Sequence, residues 1–132
     1  MILDNFDNFC QVLEEEMKLL PDYVYEELNG GVLADESAFL HPGRVTDDLY
    51  ILGTYTNHGV LGKQIVLYYG SFAAALGQAD DNTVRNQIRE TIRHEFRHHL
   101  ETRAGLFGKG TLIEEDAGRM RKYYMMHADK GK

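Results

Sequence analysis

Between Asp81 and about Arg103 the sequence carries one long helical repeat, and inside it stands His94-Glu95-Phe96-Arg97-His98. At about 100° per residue, Val84, Ile88, Ile92 and Phe96 fall on one arc, while Asn86, Glu90, Arg93 and Arg97 fall on the opposite side. Glu95 lies in the middle of the apolar arc, where a carboxylate costs several kcal/mol unless it is paired or hydrogen-bonded. His94 and His98 border that arc. Residues four apart stand one above the other on a helix, so these two imidazoles can grip a single metal ion. A glutamate beside that ion can take a proton from a metal-bound water. The pattern arises by chance in a chain of this composition roughly 2% of the time, the false-positive risk any short motif carries.

One straight helix rarely presents three groups to one tetrahedral ion, so a third ligand is expected from elsewhere. Carboxylates stand ready at Glu114, Glu115 and Asp116, the start of a further helix beyond Gly105, Gly108 and Gly110. Spacing alone leaves the choice among them open. Glu101, one turn past His98, sits about 10 Å along the axis from His94 and is better matched to a local partner such as Arg97. His99 points toward the core and reads as a buried, hydrogen-bonded histidine. His41, His58 and His127 lie in strand-end, turn or terminal contexts and read as surface residues.

Elsewhere the period changes twice. Phe6, Phe9, Leu13, Met17 and Leu20 recur at helical spacing, predicting a helix from about Asp4 to Leu19 that Pro21 ends. A short helix is expected from Pro21 to Leu28, capped by Asn29-Gly30-Gly31. Ala38–His41, Leu49–Tyr55 and Gln64–Tyr69 are short runs rich in β-formers, separated by turn residues. They predict a small sheet of about three strands, the last two an antiparallel hairpin. A brief helix follows from about Ser71 to Leu76. Asp80 or Asp81 then caps the long helix, and Ile113 to about Met126 forms the last one. Residues 128–132 are expected to be a disordered tail.

Composition closes off several functions. A chain of 132 residues with net charge −7 suits one domain, residues 1–132, and lacks the basic face of a general nucleic-acid binder. Arg85, Arg89, Arg93 and Arg97 recur every four residues and read as a solvated helix flank paired with local acids. Cys10, the only cysteine, permits no internal disulfide. No signal peptide or membrane span is evident. The expected setting is cytoplasmic, with neither nucleic acid nor membrane as partner.

Several segments together resemble a known group. They are Glu27-Leu28-Asn29-Gly30-Gly31, Asp48-Leu49-Tyr50-Ile51-Leu52-Gly53-Thr54-Tyr55 and Val66-Leu67-Tyr68-Tyr69-Gly70-Ser71-Phe72. The most specific is Arg93-His94-Glu95-Phe96-Arg97-His98-His99-Leu100-Glu101. Over most of its length the chain resembles the bacterial metallopeptidase family of minimal zincin-like domains. The resemblance implies an α+β fold: a small, mostly antiparallel sheet of about three strands packed with helices, with the active-site helix at about 81–103. It also implies Zn2+ on His94 and His98, and Glu95 as general base. Related branches carry a compact His-Glu-x-x-His-x-x-Gly-x-x-Asp pattern, whereas here Glu101 occupies the Gly position and Ala104 the Asp position. If the glycine-rich link is an insertion, the acid comes from Ile113-Glu114-Glu115-Asp116. Asp116 keeps the residue type and is the first candidate, with Glu115 next.

These readings predict a zinc-dependent metallopeptidase that hydrolyses peptide bonds of a peptide or protein substrate, with a zinc-bound water and Glu95 as base. An extended substrate could pair with a strand near Gln64–Tyr69, and Tyr68 or Tyr69 could donate to an oxyanion, although packing suits both tyrosines better. The alternative is a non-catalytic zinc-binding interaction module on the same fold.

Overall fold

The computed structural model describes residues 1–57, 62–105 and 112–127. A 3-10 turn, Ile2–Asp4, leads into α1, Phe6–Met17, whose N-cap Asn5 accepts the backbone N–H of Asn8. This hydrogen bond satisfies one of the donors that a helix start leaves free. Next come β1, Gly31–Asp35; β2, Gly53–Asn57; β3, Lys63–Tyr68; and α2, Tyr69–Leu76. The long helix is α3, Asp81–Arg103, and the last is α4, Leu112–His127. Asp80 caps α3 by accepting the Thr83 backbone N–H at 2.8 Å. Among the described residues no helix is long and apolar enough to cross a membrane.

The fold is α+β, with helices packed on a three-stranded mixed sheet ordered β1-β3-β2. β2 and β3 form the expected antiparallel hairpin, from Gly53 opposite Leu67 to Asn57 opposite Lys63. The third strand differs from expectation. β1 comes from Gly31–Asp35 and runs parallel to β3, whereas the run at 38–41 makes only one bridge, Leu40 to Tyr50. The returning arm of the hairpin thus inserts between β2 and β1. The expected helix after Pro21 shortens to a 3-10 turn, Asp22–Tyr25. Beyond it Glu27 adopts a positive φ of 63°, which breaks any continuing helix.

Phe9, Ile65, Leu67, Phe72, Val84, Ile88, Ile92 and Phe96 are buried together in the core. Truncating one large member of such a group costs about 2–5 kcal/mol. The four α3 residues in it are those of the apolar arc, so the same packing that holds the helix on the sheet also turns Glu95 inward. At the crossing, Gly53 is required by close approach. A Cβ there would stand 2.9 Å from the Thr91 methyl and 3.3 Å from the Val66 carbonyl oxygen. Its absence lets β2 settle against α3 directly beside Glu95. The terminal segment 128–132 lies outside the described residues, as do His58 and the side chain of His127.

Candidate metal centre

Helical spacing stacks His94 and His98 on α3, their rings 5.1 Å apart at an interplanar angle of 81°. Both are about a quarter exposed, at the border between core and solvent. The Asp116 carboxylate of α4 stands across from them. Its Oδ2 lies 2.8 Å from His98 Nε2 and its Oδ1 3.2 Å from His94 Nε2. Two imidazole nitrogens and one carboxylate therefore converge on one point. These separations suit direct hydrogen bonds, and they also approach the roughly 3.3 Å edge of a tetrahedron with zinc-ligand bonds of about 2.0–2.1 Å. The side chains of Glu114 and Glu115 lie outside the described residues.

Glu95 occupies the inner side of the same group, only 5% exposed. Its Oε1 is 4.0 Å from His94 Nε2, and its Oε2 is buried without a hydrogen-bond partner among the described residues. Burial, reinforced by the Asp116 charge, pushes its carboxyl up to about 7. Burial also lowers His94, against the opposing pull of Asp116. Ligand atoms from His94, Glu95 and His98 lie within 4.8 Å of one another, a group able to hold a metal ion. An orphaned carboxylate oxygen beside two converging imidazoles fits a metal centre better than it fits a closed hydrogen-bond network. The donor set, nitrogen and carboxylate oxygen, suits zinc.

Surrounding contacts hold the histidine-bearing turns in place. His99 is fully buried; its Nδ1 pairs with the Tyr55 hydroxyl at 2.8 Å and its Nε2 with the Glu26 carbonyl at 2.7 Å. This ring ties α3 to β2 and to the segment before β1. Glu101 meets Arg97 one turn back, 3.3 Å away. On α4, Tyr123 lies two helical turns after Asp116 and so shares its face. Its hydroxyl accepts the Val45 backbone N–H and donates to Asp48. α4 is thereby anchored to the 41–48 loop at the level of the site.

An open cleft of about 690 Å³ runs over this group. α3 forms its floor, Leu49–Gly53 one wall, and Asp116, Arg119 and Met120 the other. His41 lines it as well, its Nδ1 accepting the Gly43 N–H, so this histidine is not the plain surface residue its turn context suggested. One further expectation needs correcting, and the tyrosines take the packing role that suited them better. β3 is paired on both edges, so it offers no free edge for a substrate. Tyr68 bonds Thr54 and Tyr69 bonds the Leu3 carbonyl, so neither hydroxyl serves the cleft.

Arg119 adds a cation that no sequence motif marks. It reaches His94 Nδ1 at 3.4 Å and Asp116 at 3.9 Å. Only the position of Asp116, one turn earlier, signals that Arg119 belongs beside the histidines.

Comparison with known proteins agrees with this geometry. The family model described as "Zincin-like metallopeptidase" matches residues 43–107, which include both histidines and Glu95 but stop short of Asp116. A conserved hypothetical protein from T. thermophilus is similar in structure, with a TM-score of 0.68 and 32% sequence identity. The match covers 76% of this chain and 98% of that one. No curated protein matches the chain. Zincin-like domains imply a metal, usually zinc, and His94, Glu95 and His98 form a group that could bind one. On the matched segment, the shared fold and the His-Glu-x-x-His turn of α3, the chain belongs to the zincin-like metallopeptidase family.

Proposed function

We propose that the protein is a zinc-dependent peptidase in which His94, His98 and Asp116 hold the metal and Glu95 is the general base. The observation that carries this reading is the buried, unpartnered Oε2 of Glu95 beside two converging imidazoles. Zinc held there would supply a Lewis acid, lowering the pKa of a coordinated water to about 7 and polarising the scissile carbonyl. Glu95 receives the water's proton on its carboxylate and returns it to the leaving nitrogen. A general base works best when its pKa lies near the operating pH, and in metal-free protein burial, with the Asp116 charge, brings Glu95 to about 7. Asp116 sets the third position, and His99 fixes the turn that carries the histidines. The substrate is a peptide or protein lying along the cleft between Leu49–Gly53 and α4.

The test is hydrolysis of a mixed peptide library by zinc-loaded wild type and by Glu95→Gln, with bound zinc measured in both. The expected result is turnover by the wild type and about a 10²- to 10⁴-fold loss in Glu95→Gln at unchanged zinc content. A wild type that holds zinc yet cleaves nothing would instead be an interaction module built on this fold.

A further inference from the structure

Charge is distributed unevenly over α3. Of its five arginines, four have carboxylate partners: Arg85 with Glu15 and Glu16, Arg89 with Glu16, Arg97 with Glu101, and Arg103 with Glu26 and Glu27. Arg93 is exposed, has no such partner among the described residues, and lines the cleft.

Arg119 supplies a second cation from the opposite wall. It is 67% exposed, the carboxylate nearest to it among the described residues is Asp116 at 3.9 Å, and its hydrogen bond goes to the Nδ1 of His94. A guanidinium carries several N–H donors in a fixed fork, so these two contacts leave most of the exposed Arg119 head open to a further anion. Against these two guanidinium groups the cleft offers, among the described residues, only Glu90 as an acid outside the metal-and-base group.

We propose that the cleft selects acidic peptides, with Arg93 and Arg119 taking an aspartate or glutamate side chain that flanks the bond over the metal site. Guanidinium groups suit this task because they bind carboxylates through paired, charge-assisted hydrogen bonds. The proposal rests on the peptidase reading for the position of the scissile bond, but recognition of the acidic side chain does not require cleavage.

The experiment measures binding of three fluorescein-labelled decapeptides, acidic, neutral and basic, to zinc-loaded Glu95→Gln by fluorescence anisotropy. It is repeated with Arg93→Glu and Arg119→Glu added. The acidic peptide is expected to bind at least tenfold tighter than the basic one, and the double charge reversal is expected to invert that order. Both arginines are exposed, so the reversals leave the core untouched, and an inverted preference is not something misfolding can produce. Equal binding of the three peptides, or a preference unmoved by the reversals, overturns the proposal even if the wild type proves to be a peptidase. Acidic selectivity in a protein that cleaves nothing supports the proposal and rejects the peptidase reading. Displacement of the acidic peptide by a single-stranded DNA 12-mer at equal or lower concentration than unlabelled peptide also overturns it, since the cleft would then be reading phosphate.

Discussion

The two halves of α3 treat a buried glutamate in opposite ways. Its first half receives Glu16 from α1, 3% exposed, with both oxygens bonded: Oε1 to Arg89 and Arg85, Oε2 to Arg89. Its second half carries Glu95, 5% exposed, with one oxygen partnered by nothing among the described residues. Arg89, the strongest influence on Glu16, holds that carboxyl below its ordinary value, whereas burial lifts Glu95 to about 7. Both are almost hidden from solvent, but Glu95 lies deeper in the protein while Glu16 is gripped by two guanidinium groups, so depth and partners together decide the sign. A satisfied charge is scaffold. An unsatisfied one, equally hidden from solvent, marks a place where the fold gives up local stability, and here it lies beside the group able to hold a metal.

A large effect is expected where the satisfied half is broken. Glu16→Ala removes the charge-assisted hydrogen bonds of Arg89 and Arg85, both about a third exposed and Arg85 still held by Glu15, and should cost about 2–3 kcal/mol in urea unfolding. A loss under about 1 kcal/mol, the scale of an exposed pair, would mean that the two glutamates are not the contrast described. Stability from Glu16 is complete above its unfolded value near 4.5 and disappears as pH falls through its lower folded value.

Glu95 runs the other way. In metal-free protein its folded value of about 7 exceeds the unfolded 4.5, so the folded state holds the extra proton between those limits. Stability should fall as pH rises from about 4.5 to 7, by about 3 kcal/mol in total. Glu95→Gln, kept metal-free with chelator, should lack this decline and unfold at higher urea than wild type at a pH of about 8, one unit above the folded value. Parallel pH profiles for the two proteins would show that Glu95 is not destabilised by burial.

Gly53→Ala probes the contact between β2 and the second half of α3. The new methyl meets the Thr91 side chain and a backbone oxygen, which predicts a loss of about 1–3 kcal/mol in thermal unfolding. Arg97→Ala should have the smallest effect, about 0.5–1 kcal/mol, because its bond to the half-buried Glu101 is a pair one turn apart at the helix surface. A larger loss there would blur the line between surface pairing and the α1–α3 clamp.

What the sequence disclosed follows the range of the interactions involved. α3 was legible end to end because its cap, its period and its buried arc are all local. His94, Glu95 and His98 were legible for the same reason, since helical geometry alone brings them together. β1 was not. Its five residues begin in a glycine pair that also reads as a helix cap, and their partner strand lies more than thirty residues away. The stretch 38–41 has better β-forming residues but no open strand edge longer than one bridge. Arg85 and Arg89 looked like a solvated flank with local acids, yet their partners come from α1, about seventy residues back. Asp116 depends on how the chain returns after residue 105, and no spacing rule covers that return. Its placement opposite both histidines is a product of the α4 docking that Tyr123 anchors.

Zinc stoichiometry by native mass spectrometry tests the central claim most directly, comparing wild type, His98→Ala and Asp116→Ala purified without chelator. One zinc per chain in the wild type and none in either variant is the predicted result. Zinc retained by Asp116→Ala at wild-type stoichiometry, or no zinc in the wild type after metal is supplied, would contradict it.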